Sequence, residues 1–289
     1  MLHRLLTLAT HRIKRMPVLV LMPHSRCNCR CVMCDIWRAN HNKQELSPET
    51  LSRHMQAFKR LGVKEVALSG GEALMHPNLW ALCSELRSIG ARISLLSTGI
   101  TLKAFAGEVV RHVDEVIVSL DGSEAIHNSI RGIPQAFSKL RDGVRALKSE
   151  DASFKVTGRC VLQKLNYRDL PNIIETSRTL GLDRISFLAA DVSTPAFNRP
   201  ELWPEEKMVD VALDETDAGA LEKIIRDSFV TFKDLYAQRF IAESPDKMLQ
   251  IVQYYRGLLG LSDFPRKRCN APWTSAVVEA NGDVRPCFF

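Results

Sequence analysis

Residues 17–37 read PVLVLMPHSRCNCRCVMCDIW, and this stretch decides the fold. It opens with a short apolar run of valine and leucine, which predicts a buried β-strand. A loop with four cysteines, Cys27, Cys29, Cys31 and Cys34, follows the strand at once. Cysteines crowded on one loop converge well on a metal or cluster, whereas disulfides join distant segments. The stretch therefore predicts a strand that delivers metal ligands at its carboxyl end.

The same unit, a short β-branched strand followed by a helical pattern, repeats downstream. Further strand-like runs cover 65–69, 92–97, 115–120, 154–162 and 184–189, and helical patterns cover 47–62, 76–90, 134–148 and 170–181. Strands that alternate with helices predict a parallel sheet with right-handed crossovers. Six strands are too few for a complete eight-stranded barrel, so the fold class is α/β, as either a partial barrel or a doubly wound sheet.

The composition is that of an ordinary folded protein. Charged residues make up 25% and hydrophobic residues 45% of the 289, which excludes a disordered chain, a collagen and a coiled coil. The net charge of +6 is too mild to predict nucleic-acid binding. The sequence has no apolar run near the roughly 20 residues of a membrane-spanning helix and no secretory signal. We therefore expect a soluble, cytoplasmic protein with reduced thiols.

The chain divides into four regions. Residues 1–16 predict a basic amphipathic helix that packs on the domain, with contact to a membrane surface as the alternative. Residues 17–190 carry the strand and helix repeat. Residues 191–261 begin rich in proline and polar residues and continue as helix, which predicts a linker and helical segment. Residues 262–289 predict a β-hairpin.

Particular residues in the last two regions carry further predictions. The third region contains Phe197 and Trp203, so one interpretation is that it forms a lid. The alternative is a packed helical linker. The hairpin is centred on Asn281 and Gly282, because Asn-Gly is the favoured two-residue turn. The strands on either side of this turn could bring the thiols of Cys269 and Cys287 near one another.

Three of the loop cysteines have a spacing with chemical meaning. Cys27, Cys31 and Cys34 form C-x3-C-x2-C, with Cys29 inside the first gap. Three thiolates on a four-iron cluster leave one iron open to bind a ligand. The alternative, from another class of protein, is a non-catalytic zinc or electron-transfer module in which Cys31 and Cys34 pair with the two tail cysteines.

The other cysteines of the barrel are predicted to have no ligand role. Cys83 matches the apolar face of a helix and Cys160 lies in a strand, so both are expected in the core, where free cysteine behaves as a small hydrophobe. We expect the loss of Cys29 to be tolerated.

A second motif follows the second strand. Gly70, Gly71 and Glu72 stand at its carboxyl end, the edge at which parallel α/β folds bind ligands. Glycines let the backbone approach a bound molecule closely, and Glu72 could accept a hydrogen bond from an ammonium group. Its position after the second strand, with a three-thiol loop after the first, makes this tripeptide a predicted ligand site.

Together the two motifs resemble those of the radical S-adenosylmethionine (SAM) superfamily, over about residues 17–190. The resemblance implies a partial (β/α)6 TIM-type barrel and a [4Fe-4S] cluster on Cys27, Cys31 and Cys34 whose open iron is chelated by SAM. It implies reductive cleavage of SAM to methionine and a 5′-deoxyadenosyl radical that abstracts hydrogen from a substrate. It also implies a reductant such as flavodoxin or ferredoxin. No residue is assigned to chemistry on the substrate.

The resemblance extends to the ends of the third and fourth strands. Ser97 and Thr98 end the third strand, Ser119 ends the fourth with Asp121 just beyond it, and Arg159 lies in the fifth. The candidate SAM-binding residues are Met33, Gly70, Gly71, Glu72, Ser97, Thr98, Ser119, Asp121 and Arg159. Of these, Ser119 and Arg159 would contact the ribose or carboxylate, while Met33, where the family usually has an aromatic residue, would pack against the adenine.

The tail resembles a cluster-binding extension. The run HNSIRG at 127–132 and the spacing of Cys269 and Cys287 around Gly282 are similar to the variety of the family with a SPASM or twitch module, which holds an auxiliary iron–sulfur cluster. Two thiols cannot hold a four-iron cluster alone, so further ligands are expected beyond Phe289. A natural end at that residue and a buried or disulfide-linked pair are the alternatives.

The sequence says less about the substrate. The first strand is preceded only by residues 1–16, too few for the leader-binding domain of many peptide-modifying relatives. We therefore expect a small molecule or cofactor precursor, with a peptide or protein side chain as the alternative.

Overall fold

The computed structural model describes residues 10, 12–199, 201–266 and 269–287. Its strands are β1 (Val18–Leu21), β2 (Glu65–Leu68), β3 (Arg92–Ser97), β4 (Glu115–Ser119), β5 (Lys155–Leu162), β6 (Arg184–Ala189), β7 (Ser275–Val278) and β8 (Val284–Arg285). Its α-helices are α1 (Pro48–Leu61), α2 (Leu79–Ser88), α3 (Leu102–His112), α4 (Glu124–Arg131), α5 (Ala136–Glu150), α6 (Leu170–Thr179), α7 (Glu205–Val211), α8 (Glu215–Thr231), α9 (Lys233–Ala237), α10 (Pro245–Leu258) and α11 (Ala271–Thr274). Short 3-10 helices cover Ile36–His41, Ala73–Met75 and Tyr167–Asp169.

Strand order decides between the two predicted architectures. The described strands form one sheet in the order β6-β5-β4-β3-β2-β1-β7-β8. Strands β1 to β6 are parallel, and each lies beside its predecessor in the chain. In a doubly wound sheet the order of successive strands reverses at a switch point. The order of β1 to β6 shows no such reversal. The α/β partial barrel is therefore confirmed, with the carboxyl ends of β1 to β6 along one edge.

Local sequence explains where the helices begin and end. In α1 the hydroxyl of Ser47 accepts a hydrogen bond from the Thr50 N–H (3.1 Å), and Pro48 opens the helix. Gly62 ends it with a φ of +68°, a conformation that costs glycine no steric strain. Two of the remaining cysteines, Cys83 in α2 and Cys160 in β5, are fully buried in the main hydrophobic core, as predicted.

The hairpin joins the barrel sheet, which the count of six strands did not anticipate. Strand β7 pairs in parallel with β1, and the N–H of Met22 donates to the Val278 carbonyl (2.8 Å). The turn is also longer than the predicted two-residue Asn-Gly turn. The Glu279 N–H donates to the Asp283 carbonyl (2.9 Å), which leaves residues 280–282 as a three-residue loop. A two-residue type I′ turn needs positive φ at both central residues, and here Gly282 has it (+89°) while Asn281 does not.

The helices after the barrel pack on its last strand. The buried Tyr255 hydroxyl in α10 donates to the Leu162 carbonyl (2.5 Å) and accepts from the Ala190 N–H (2.9 Å). Residues 240–242 run along the free edge of β6, where Ile185 exchanges backbone hydrogen bonds with them. The edge that an open barrel exposes is thus covered by this segment.

The predicted N-terminal helix over 1–16 falls mostly outside the described residues, and residues 12–17 have no regular secondary structure. Among the described helices, none has the length and apolar character needed to cross a membrane.

Candidate active site

A cavity of about 240 Å³ opens at the carboxyl edge of the sheet. It is lined by the three predicted cluster thiols, Cys27, Cys31 and Cys34, and by the predicted SAM-binding residues Met33, Gly70, Gly71, Ser97, Thr98, Ser119 and Arg159. Glu72, Asp121, Cys269 and Cys287 do not line it. Residues from the ends of five strands therefore meet at one place, as expected of a parallel α/β fold.

Hydrogen bonds hold the cysteine loop against the rest of the site. The side-chain amide of Asn40 accepts from the Cys27 N–H and donates to the Cys27 carbonyl, both at 2.9 Å. Between the loop and the end of β3, the Thr98 hydroxyl makes a hydrogen-bond contact with the Asn28 side-chain amide (2.8 Å). The loop is thereby anchored at the position of its first predicted ligand.

The glycines of the second motif are needed for backbone contact with the cysteine loop. A Cβ on Gly71 would lie 2.0 Å from the Arg26 carbonyl oxygen, and the neighbouring Glu72 N–H donates to that oxygen (2.9 Å). Gly70 has a φ of +95°, and a Cβ there would lie 2.9 Å from the Met22 Cβ. Side chains at either position would separate the loops that follow β1 and β2.

Glu72 is not among the residues that line the cavity. Its side chain is fully buried, and one carboxylate oxygen accepts from the N–H (2.7 Å) and hydroxyl (2.7 Å) of Thr98 and from the Ser97 hydroxyl (3.1 Å). The other oxygen accepts from the Leu74 N–H (3.2 Å). Burial raises the pKa of this carboxyl above its ordinary value. These contacts hold the end of β3, and the contact of Glu72 with an ammonium group stays a prediction.

Two neighbouring strands present Ser119 and Arg159 to the cavity. The two residues are partners in the β4–β5 register, so their side chains lie on the same face of the sheet. Burial lowers the pKa of Arg159, and its buried Nε has no hydrogen-bond partner among the described residues. Asp121, two residues beyond Ser119, is buried instead and accepts from the Val161 N–H (3.2 Å). Arg159 is therefore a guanidinium placed to meet an anion in the cavity.

The loop thiols differ in their acidity. Burial raises the pKa of Cys27 and of Cys34 to about 12. The pKa of Cys31 is lowered to about 6, first by a hydrogen bond from Cys29 and then by the charge of Arg131. Cys29, which does not line the cavity, is buried as the donor of that hydrogen bond, and its own pKa is raised. Metal binding at the loop must therefore release protons from Cys27 and Cys34.

The described structure does not bring together the four cysteines of the alternative zinc site. Cys269 is exposed and Cys287 is half-buried beside Pro286, both away from the cavity that holds Cys31 and Cys34. Among the described residues, no three His, Cys, Asp or Glu side chains converge closely enough for a single ion. Three thiols spread around a cavity fit a larger, iron–sulfur group better than one tetrahedral zinc.

Sequence reasoning missed the contacts that Trp203 makes with the cysteine loop. Its Nε1 donates to the buried carboxylate of Asp35 (2.5 Å), which also accepts from Lys207 Nζ (2.7 Å). Arg199 donates to the Met33 carbonyl (3.3 Å), and its guanidinium lies 3.9 Å from the Trp203 ring centre. A tryptophan four residues from each of two basic residues was the available signal.

Phe197 adds a wall to the cavity. It has a φ of +62°, which is uncommon for a bulky residue, and its side chain lines the same cavity as the three thiols. Together with the contacts of Arg199, Trp203 and Lys207, this places parts of 191–199 and 201–211 beside the cysteine loop, where the predicted lid would lie.

The arrangement has counterparts among known proteins. Residues 21–176, over half of the chain, match the model of the radical SAM superfamily. The chain therefore belongs to that superfamily, and the family predicted from the two motifs is confirmed.

Individual proteins with related sequences or structures are also similar to this chain. The chain is 27% identical over 159 residues to an AdoMet-dependent heme synthase of Methanosarcina barkeri, a match that covers 54% of this chain and 45% of that protein. It is 27% identical over 277 residues to a PqqA peptide cyclase of Streptomyces rochei, covering 93% of this chain and 68% of that protein. The solved structure of Streptococcus suis SuiB bound to S-adenosylmethionine superposes with a TM-score of 0.65 at 15% identity, over 99% of this chain and 63% of SuiB. The chain spans about half the length of several curated relatives that it matches.

We predict that Gly71→Ala separates the cysteine loop from the end of β2. The added methyl group would overlap the Arg26 carbonyl oxygen, at 2.0 Å, and overpacking of this kind costs about 1–3 kcal/mol. Iron bound after anaerobic reconstitution should fall, and urea unfolding should show the loss of stability. Gly219→Ala in α8 is the control, because a Cβ there meets nothing within 4 Å. Full iron loading of Gly71→Ala would contradict the close-contact argument.

Proposed function

We propose that this protein is a radical SAM enzyme that cleaves SAM reductively and uses the resulting radical to abstract hydrogen from a substrate. Membership of the superfamily implies a [4Fe-4S] cluster and SAM. The observation that supports the proposal is that Cys27, Cys31 and Cys34 line the same cavity as the glycine loop and Arg159. When bound, the cluster supplies the electron that breaks the sulfonium bond.

The chain's own residues have distinct roles in this proposal. Cys27, Cys31 and Cys34 hold the cluster as thiolates. Gly70 and Gly71 keep the cavity open to the methionyl group, and Met33 packs on the adenine. Ser119 and Arg159 bind the ribose and carboxylate, the latter through the charge-assisted bonds that a guanidinium provides. Glu72 would accept a hydrogen bond from the methionyl ammonium, and its carboxylate also holds the Thr98 hydroxyl and N–H at the cavity wall.

The cavity walls also exclude water. Phe197 and Leu188 line the cavity together with the thiols, and Trp203 is buried against the cysteine loop. A closed apolar wall protects a reactive intermediate from side reactions. We further propose a cytoplasmic location and a flavodoxin or ferredoxin as the reductant, because reduced thiols and a low-potential electron source are both found there.

An auxiliary cluster is the finer part of the proposal. The hairpin lies next to β1, but Cys269 precedes β7 and Cys287 follows β8, so a cluster on these two thiols would sit at the amino end of β1, away from the main site. Two thiols supply too few ligands, and others would have to come from outside the described residues.

The substrate side of the site supports two candidates. A second cavity of about 730 Å³ shares Leu188, Ala189 and Asp191 with the first and is walled by α10 residues. A small molecule or cofactor precursor would fit there, as the similarity to a heme synthase suggests. A peptide or protein side chain is the second candidate, favoured by the peptide cyclase match across 93% of the chain.

The ligand assignment predicts which cysteines matter. Cys27→Ala, Cys31→Ala and Cys34→Ala should each abolish formation of 5′-deoxyadenosine from SAM, because loss of one thiolate leaves an incomplete ligand set. Cys29→Ala should keep the cluster. Cys83→Ala, which removes a buried thiol far from the cavity, is the control. Anaerobic turnover with product quantified by mass tests the set, and a cluster that survives Cys27→Ala but not Cys29→Ala would overturn the assignment.

We predict that replacing Arg159 weakens SAM binding without loss of iron. Arg159→Met should weaken SAM binding by about 10- to 100-fold at unchanged iron content, the size expected for a lost charged hydrogen bond. Equilibrium titration of SAM measures the change. Arg184→Met, which removes an exposed arginine from β6, should bind SAM as the wild type does. Equal affinities for Arg159→Met and wild type would remove Arg159 from the SAM site.

The tail cysteines predict a change in iron rather than in SAM cleavage. If they hold an auxiliary cluster, Cys269→Ala and Cys287→Ala should each lower iron and sulfide per chain and leave the SAM-sensitive electron paramagnetic resonance signal in place. Elemental analysis and spectroscopy of the same samples give both readouts. Unchanged iron in both variants would mean that the two thiols are structural.

A further inference from the structure

Helix α4 docks directly under the cysteine loop. The N–H groups of Arg30 and Val32 donate to the carbonyls of Arg131 (2.9 Å) and Ile130 (3.1 Å). Gly132 follows with a φ of +62°, and a Cβ at this position would lie 2.7 Å from the Arg30 carbonyl oxygen. The carboxyl end of the helix is therefore held at backbone contact with the loop.

The last residue of α4 sends its side chain to one of the loop thiols. The Arg131 Nη1 donates to Cys31 Sγ (3.4 Å), while its Nη2 forms an ion pair with Asp121. Arg131 is 6% exposed and Asp121 is fully buried, with the second carboxylate oxygen occupied by the Val161 N–H. In this buried ion pair, the Arg131 guanidinium therefore contacts a predicted cluster ligand, and Asp121 contacts the guanidinium from its other side.

This pair needs an explanation that packing does not supply. Taking a guanidinium and a carboxylate out of water costs several kcal/mol per ion, and their mutual attraction repays this only with complete hydrogen bonding. The buried Arg131 Nε has no partner among the described residues, so the bonding is incomplete. Arg131 also lines the cavity with the three thiols, where an anionic group would offset the remaining cost.

We propose that Arg131 and Asp121 are positioning residues of opposite effect that set the reduction potential of the cluster on Cys27, Cys31 and Cys34. This inference rests on the proposed function. A four-iron cluster on three thiolates is anionic, and one-electron reduction adds negative charge. The Arg131 cation and its hydrogen bond to sulfur stabilise the reduced form, since hydrogen bonds and charge around the sulfurs tune such potentials. The Asp121 anion opposes this and holds the guanidinium in place.

The two residues therefore predict shifts of opposite sign. Arg131→Met removes the cation and the donor, so at the wild-type midpoint potential the ratio of reduced to oxidised cluster should fall at least tenfold, a midpoint about 59 mV lower. Asp121→Asn removes the anion while keeping an oxygen for the Val161 N–H, so the same ratio should rise. Arg131→Lys keeps the charge but loses the fork and should lie between Arg131→Met and the wild type.

The experiment is a potentiometric titration of the anaerobically reconstituted full chain, followed by electron paramagnetic resonance. Iron and sulfide per chain and the free energy of unfolding are measured on the same samples. Ile130→Val is the matched control, because it alters packing at the same end of α4 without changing charge and should keep the wild-type midpoint. A purely structural role would lower iron content or stability and leave the midpoint of the remaining cluster unchanged.

Each outcome is decisive. Opposite shifts for Arg131→Met and Asp121→Asn support the proposal, as does a raised midpoint in Asp121→Asn with an intermediate one in Arg131→Lys if Arg131→Met fails to fold. Wild-type midpoints in the variants that load iron, or shifts of the same sign, overturn it. Failure of the wild-type chain to assemble a four-iron cluster would instead overturn the proposed function.

Discussion

The contact between Gly71 and the Arg26 carbonyl is the constraint on which the site depends. It brings the loop after β1 and the loop after β2 to backbone distance, with room for a hydrogen atom but not for a methyl group. From there Glu72 extends the connection to Thr98, so that three successive loops are joined by backbone and buried carboxylate. Residues of all three loops line the cavity.

Much of this site was readable in the sequence, because residues that follow parallel strands share an edge. Cys27, Ser119 and Arg159 are far apart in the chain, yet the strand pattern alone places them together. Glu72 and Asp121 show the limit of that reasoning. Both were correctly placed near the edge, but whether a side chain beyond a strand end enters the cavity or turns into the core depends on partners such as Thr98 and Arg131, which no local pattern names.

Other features were out of reach because they depend on contacts between distant residues. The pairing of β7 with β1 joins strands from opposite ends of the chain, and the strand pattern carries no information about which neighbour completes a sheet edge. In the sequence, Arg131 is distinguished only as part of the run HNSIRG, because an arginine at the carboxyl end of a helix is usually a solvated charge that interacts favourably with the helix dipole. Its burial became visible only with the fold. In the hairpin, Asn281 and Gly282 marked the turn, but the loop length followed from backbone geometry.

The position of β1 between β2 and β7 has a consequence for how the protein is made. Contacts between residues so distant in sequence form late, since the loop entropy must be overcome before they are gained. During synthesis, β1 leaves the ribosome before β7, and one of its edges has no strand to pair with until residues 275–278 follow. The cysteine loop directly follows β1, which until then is paired along one edge only. Iron inserted early would meet a flexible loop, and cluster insertion is therefore expected only after β7 has been made and has paired with β1.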